Sequence, residues 1–138
     1  AAHNAARANV TPAANPAIPP LAWNATVAAT AQAWADLCVF QHSSNSYGEN
    51  LYASAGSVNT PQDVVDSWVS EVVDYDYANN VCNGTCGHYT QVVWRDSVHL
   101  GCGHTTCTQN SPFSGFPTWD LWVCNYDPPG NFNNQRPY

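Results

Sequence analysis

Apolar positions recur along this chain with helical spacing in two places. After Asn24, the residues Val27, Ala31, Trp34 and Cys38 follow at three- or four-residue steps, the stripe of an amphipathic helix that Asn24 caps. Continuing the period by four puts His42 on the same buried side, at or just past the helix end, with residues 43–46 as a closing turn. A second helix starts at Thr60-Pro61-Gln62-Asp63, where a cap, a first-turn proline and an early acid coincide. Its apolar side holds Val64, Val65, Trp68, Val69, Val72 and Val73, and Glu71 falls at the edge of that side. A glutamate drawn onto an apolar side needs a partner or a shifted pKa.

The remaining pattern is shorter-ranged. Residues 1–9 form a short helix carrying His3, Asn4 and Arg7, and Pro12, Pro16, Pro19 and Pro20 enforce an extended loop behind it. Residues 48–52 suit a strand and 53–60 a small, polar loop. Residues 74–86 are a tyrosine- and asparagine-rich turn region closed by Cys82 and Cys86, and 88–94 a short helix or helical turn. Residues 98–107 and 119–126 are β-branched or aromatic and predict a hairpin with a long loop. The segment 128–138 is an extended surface tail. Trp34, Trp68 and Trp94 read as core, Trp119 and Trp122 as strand packing, and Trp23 as a staple on the following helix. His99 and His104 read as exposed. No repeat or linker divides the chain, so 1–138 is one domain.

Charge narrows the partners. The net charge is −7 and the only cationic side chains are Arg7, Arg95 and Arg136. A nucleic acid is excluded, because nothing supplies the phosphate contacts, and so is docking on an anionic membrane through a basic face. Six cysteines predict three disulfides, since their spacings lack the paired knuckles of a zinc site; spacing leaves the pairing open. Glycosylation triplets begin at Asn9, Asn24 and Asn83. With no leader and no membrane-spanning apolar run, the expectation is a processed, secreted, extracellular form.

Several segments carry a family likeness: His3-Asn4 with Arg7, Tyr47-Gly48-Glu49-Asn50-Leu51, Trp68 with Glu71, Gly87-His88-Tyr89-Thr90-Gln91-Val92-Val93-Trp94, Gly101-Cys102, and Cys124-Asn125-Tyr126-Asp127-Pro128-Pro129-Gly130-Asn131-Phe132. On these the chain resembles the CAP superfamily (cysteine-rich secretory proteins, antigen 5 and pathogenesis-related class 1 proteins), nearest its plant and fungal pathogenesis-related branch. The resemblance implies an α+β fold, a three-layer α-β-α sandwich around a central, mostly antiparallel sheet. It also implies the pairs Cys38–Cys107, Cys82–Cys86 and Cys102–Cys124, and a central cavity lined by His42, Glu49, Glu71 and His88.

Three chemistries suit that tetrad. It can be a structural polar network whose members satisfy one another. It can be a weak metal site, with His42 and His88 binding zinc, calcium or magnesium and the carboxylates orienting the rings, although no cofactor is required. It can be catalytic, as in a metal-dependent hydrolase, but no motif positions a nucleophile and every cysteine is committed to a bridge, so a non-enzyme is expected. Function follows from the resemblance: a secreted protein of defence or host–pathogen interaction that binds sterols or fatty acids, or an effector recognised by a host or microbial receptor, acting as a monomer. For sterols the family implicates the loop Tyr52, Ala53, Ser54, Ala55, Gly56, Ser57, Val58, Asn59, Thr60 and Pro61, which here is poor in aromatics; for fatty acids it implicates a groove between two helices. The tail resembles a plant segment released as a defence-signalling peptide, and its plainer reading is packing against the sheet edge.

Overall fold

In the computed structural model, which describes residues 1–138, the Asn24 side chain caps a helix over Ala25–Ala35, accepting from the Thr26 and Val27 amides at 2.9 and 3.1 Å. In chain order the elements are α1 (Ala2–Ala8), β1 (Ala22–Trp23), α2 (Ala25–Ala35), β2 (Gly48–Ser54), α3 (Pro61–Val69), a 3-10 turn (Ser70–Asp74), β3 (Tyr75–Asp76), β4 (Val81–Cys82), α4 (Gly87–Val92), β5 (His99–Cys107) and β6 (Trp119–Asp127). The central sheet has the order β1-β5-β6-β2, and only the β1–β5 pairing is parallel. β3 and β4 form a separate small hairpin.

Helices cover both faces. Ala31 and Ala35 of α2 pack with Leu51, Trp119, Leu121 and Val123 on one face; Val64, Val65 and Trp68 of α3 and Tyr89, Val92 and Val93 of α4 or its end pack with Cys124 and Tyr126 on the other. The small residues of α2 allow a close approach, and β5 is shaped to match. A Cβ on Gly101 would lie 2.0 Å from the Ala28 nitrogen, and one on Gly103 would lie 2.4 Å from the Gln32 Cα. This is the α-β-α sandwich, and the three disulfides pair Cys38–Cys107, Cys82–Cys86 and Cys102–Cys124.

The structure departs from the sequence expectations at particular joints. Residues Ala22 and Trp23 form a strand too short to show a period, and Trp23 is 63% exposed rather than stapled to α2. Trp34 is only half-buried, its indole donating to the Gln41 carbonyl. β2 runs to Ser54, so Ala53 and Ser54, expected in the loop, belong to the strand. After Val69 the helix tightens into the 3-10 turn, which changes the angular step and leaves Val72 and Val73 in solvent. Beyond Leu100, β5 has no strand on its outer side, and the Gln32 amide takes that place by donating to the His104 carbonyl and accepting from its N–H.

Arg7 ties the layers behind the functional region. Its buried guanidinium donates to the carbonyls of Pro19, Val92, Trp94, Arg95 and Ser97, and burial lowers its pKa to about 10. The Val92 carbonyl is at the C-terminal end of α4, where carbonyls lack a partner within the helix, so a cation there is favourably placed. The tail packs on α4 and the β3–β4 hairpin rather than on the sheet edge. Asn131 bonds the Gly87 carbonyl and the Thr90 hydroxyl, Arg136 bonds the Tyr77 and Ala78 carbonyls, and the Tyr138 ring stacks on Tyr77.

Candidate functional site

Glu71 reaches the start of α4 from the 3-10 turn. One carboxylate oxygen accepts from the amides of His88 and Tyr89 at 2.9 and 3.0 Å, and the other meets His88 Nδ1 at 2.6 Å. First-turn amides have no partner inside their own helix, and a carboxylate also suits the positive end of the helix dipole. The sequence expectation that Glu71 must find a partner is met by this arrangement. Behind the imidazole, the Trp68 ring lies nearly parallel at 6.2 Å and is itself held by an indole bond to the Leu51 carbonyl.

The second pair is built differently. α2 ends at Ala35 and the chain turns left-handed at Cys38 (φ 53°), so the helical period never reaches His42. The ring is 65% exposed instead of lying on a buried side. Glu49 of β2, nearly covered, gathers His42 Nδ1 at 2.9 Å, the Ser43 amide at 2.8 Å and the Ser43 hydroxyl at 2.5 Å.

His42, Glu49 and His88 line one cleft of about 170 Å³, together with Asn50, Thr85, Gly87 and Asn131. It lies by β2, the edge strand, not at the centre of the molecule, and Glu71 stands behind His88 rather than on its wall. Carboxylates only accept, so in each neutral ring Nδ1 carries the proton and Nε2 keeps a free lone pair. That is the state in which carboxylate-oriented imidazoles ligate metals. No group of three or more His, Cys, Asp or Glu side chains surrounds a common point, so the protein offers the two imidazole nitrogens and open positions for water. The Ser43 hydroxyl beside His42 is spent on Glu49 and not on an imidazole.

A second cavity of about 360 Å³ lies between the helices and the sheet. Its floor is Leu100, the Cys102–Cys124 disulfide and Trp122; one wall is Pro61, Val64, Val65 and Trp68 of α3; Ala2 and His3 of α1 with Ala1 form another; Trp23, Gln32, Gly103 and His104 complete the lining. This is an apolar groove, and Trp68 is common to it and to the plate behind His88. A buried hydrogen-bond chain joins the two regions: His3 Nε2 to the Tyr126 hydroxyl at 2.7 Å, Asn50 to that hydroxyl at 3.1 Å, and Asn50 to the His88 carbonyl at 3.0 Å. Burial, helped by the terminal ammonium and Arg7, lowers the His3 pKa to about 4, and burial raises that of Tyr126.

The loop expected to hold sterol divides. Tyr52, Ala53 and Ser54 are strand, Pro61 lines the groove, and Gly56, Ser57 and Val58 border an open hollow beside Phe116, where Val58 is 97% exposed. Asn24 is occupied as a helix cap, whereas Asn83 is exposed. Sequence reasoning missed Thr85 and Asn131 of the cleft, which only the fold brings there, and gave no role to His104. Its one legible signal was the two-residue step from Cys102, a residue tied into the floor.

The profile of the CAP family, "Cysteine-rich secretory protein family", matches residues 1–126. Pathogenesis-related protein 1 of Arabidopsis thaliana is 42% identical over 141 residues, covering 99% of this chain and 78% of the relative. Pathogenesis-related leaf protein 4 of Solanum lycopersicum is 44% identical over 144 residues, covering 100% and 80%. Among solved structures, Schistosoma mansoni venom allergen-like protein 4 superposes with a TM-score of 0.74 at 28% identity, over 99% of this chain and 88% of that one. NaASP2, solved with Zn2+, gives 0.66 at 27% identity, over 86% of this chain and 65% of that one. By sequence and by fold, this chain belongs to the CAP family of cysteine-rich secretory proteins.

Proposed function

We propose that this protein is a secreted, monomeric pathogenesis-related class 1 protein that binds a sterol or a fatty acid in defence or host–pathogen interaction. The observation that carries the reading is the apolar groove between α1, α3 and the sheet, of about 360 Å³ and walled by Val64, Val65 and Trp68. Burying apolar ligand surface there supplies the main driving force, about 25 cal/mol per Å² removed from water. Three disulfides support an oxidising, extracellular setting.

His42 and His88 would hold a divalent cation, zinc before calcium or magnesium, because imidazole nitrogens suit zinc. The donor set fits: both rings present Nε2 and both Nδ1 atoms are fixed by carboxylates. Bound there, the cation would supply a positive charge at the cleft; the residues orient it and lipid capture does not require it. The same two oriented imidazoles favour a second reading, a metal-dependent hydrolase, which predicts turnover abolished by chelator, His42→Ala or His88→Ala. An effector bound by a host or microbial receptor would show neither property.

The deciding experiment is binding of labelled cholesterol and labelled palmitate to the disulfide-intact protein, with excess unlabelled competitor and with zinc or chelator. Saturable binding that Val65→Asp removes establishes the groove, while loss with Val58→Asp instead assigns the loop. No saturable binding overturns the lipid reading.

A further inference from the structure

His104 lines the groove and is fixed on several sides. Its ring lies over Trp122 with centroids 4.0 Å apart, its Nε2 meets Asp120 Oδ1 at 2.8 Å, and the Gln32 amide pins its backbone. Asp120 is anchored in turn, the same oxygen accepting from the Thr106 hydroxyl at 2.7 Å. This is a third hydrogen-bonded histidine–carboxylate pair, separate from the cleft, in a groove whose lining is mostly apolar side chains and a disulfide, with the Ala1 terminus, His3 and Gln32 as its other polar members.

The pairing dictates what the free side of the ring can do. Asp120 only accepts, so the neutral ring carries its proton on Nε2, and Nδ1 is left as a lone-pair acceptor without a protein donor. A carboxylate ligand cannot donate to it, and would sit beside the Asp120 charge in a protein whose net charge is already −7. A hydroxyl can donate, and brings no charge. We propose that His104 reads the ligand's head group, so that the groove takes an apolar lipid bearing a hydroxyl in preference to one bearing a carboxylate. This rests on the groove being the lipid site, and it chooses between the two ligand classes left open above. His104 acts by contact with the ligand, and Asp120 is a positioning residue that sets the tautomer.

The test is equilibrium dialysis of labelled 1-dodecanol and dodecanoate against the disulfide-intact protein at about pH 8, above the ordinary imidazole range. Wild type is expected to bind dodecanol about tenfold tighter than dodecanoate. H104F keeps a ring on Trp122 but no acceptor, and is expected to lose that preference. D120N still accepts from Nε2 but removes the charge, so dodecanoate binding rises several-fold while dodecanol binding changes little. Near-UV circular dichroism matching wild type verifies the fold of each variant. Equal binding of the two probes by wild type, tighter dodecanoate binding, or a preference that H104F retains overturns the head-group assignment alone. Failure of both probes to bind overturns the lipid reading and this inference with it.

Discussion

His88 and His42 face one cleft and each leans on a glutamate through Nδ1, yet the two pairs are held in opposite ways. His88 sits in the first turn of α4, stacked on Trp68, and its carboxylate is also the cap of its own helix. His42 hangs from a segment without regular structure, and only its carboxylate is buried. The first pair is part of what holds the helices together. The second is an exposed imidazole on a buried acceptor, and any contact that fixes it further costs side-chain entropy that His88 has already lost. The same residue types at one site therefore divide the work between frame and adaptable arm.

Removing the plate behind the fixed pair should have the largest effect. Trp68→Ala is expected to destabilise the protein by about 3–5 kcal/mol, through cavity formation and loss of the bond to Leu51, as read from urea unfolding. Next, Glu71→Ala strips two amides and an imidazole of their partner and should cost about 2–3 kcal/mol; Glu49→Ala should cost about 1 kcal/mol, and His42→Ala no more than about 0.5 kcal/mol. Equal losses for the two glutamates would dissolve the distinction between frame and arm.

A smaller, pH-dependent effect sharpens it further. His3, buried against Tyr126 and Trp68, has a folded pKa near 4 against 6.5 unfolded. A buried histidine kept neutral lets the unfolded state bind the extra proton between those values, so stability falls as the pH drops from about 6.5 towards 4. The slope from this group is at most about 1.4 kcal/mol per pH unit, and above 6.5 it contributes none. Urea midpoints of wild type and His3→Gln across that window check it: the variant should show the shallower decline.

The chain's own pattern determined much of this protein. Asn24 and the Thr60–Asp63 capping box mark helix starts with side-chain chemistry that acts over three residues, and the β-branched or aromatic segments mark β5 and β6. Six cysteines and the segments around Glu49 and His88 pointed to the family and to the tetrad. Those signals are local, and local hydrogen bonding and periodicity are what a sequence displays. The tertiary structure decided the rest. It exposed His42, because a helix ends where packing and a left-handed turn at Cys38 end it. It set Glu71 behind His88, and it joined His104, Trp122 and Asp120 beside the groove across two strands. The physical reason is distance along the chain: Glu71 and His88 are 17 residues apart, Gln32 and His104 are 72, and no short-range rule reports which buried groups must satisfy each other across such gaps.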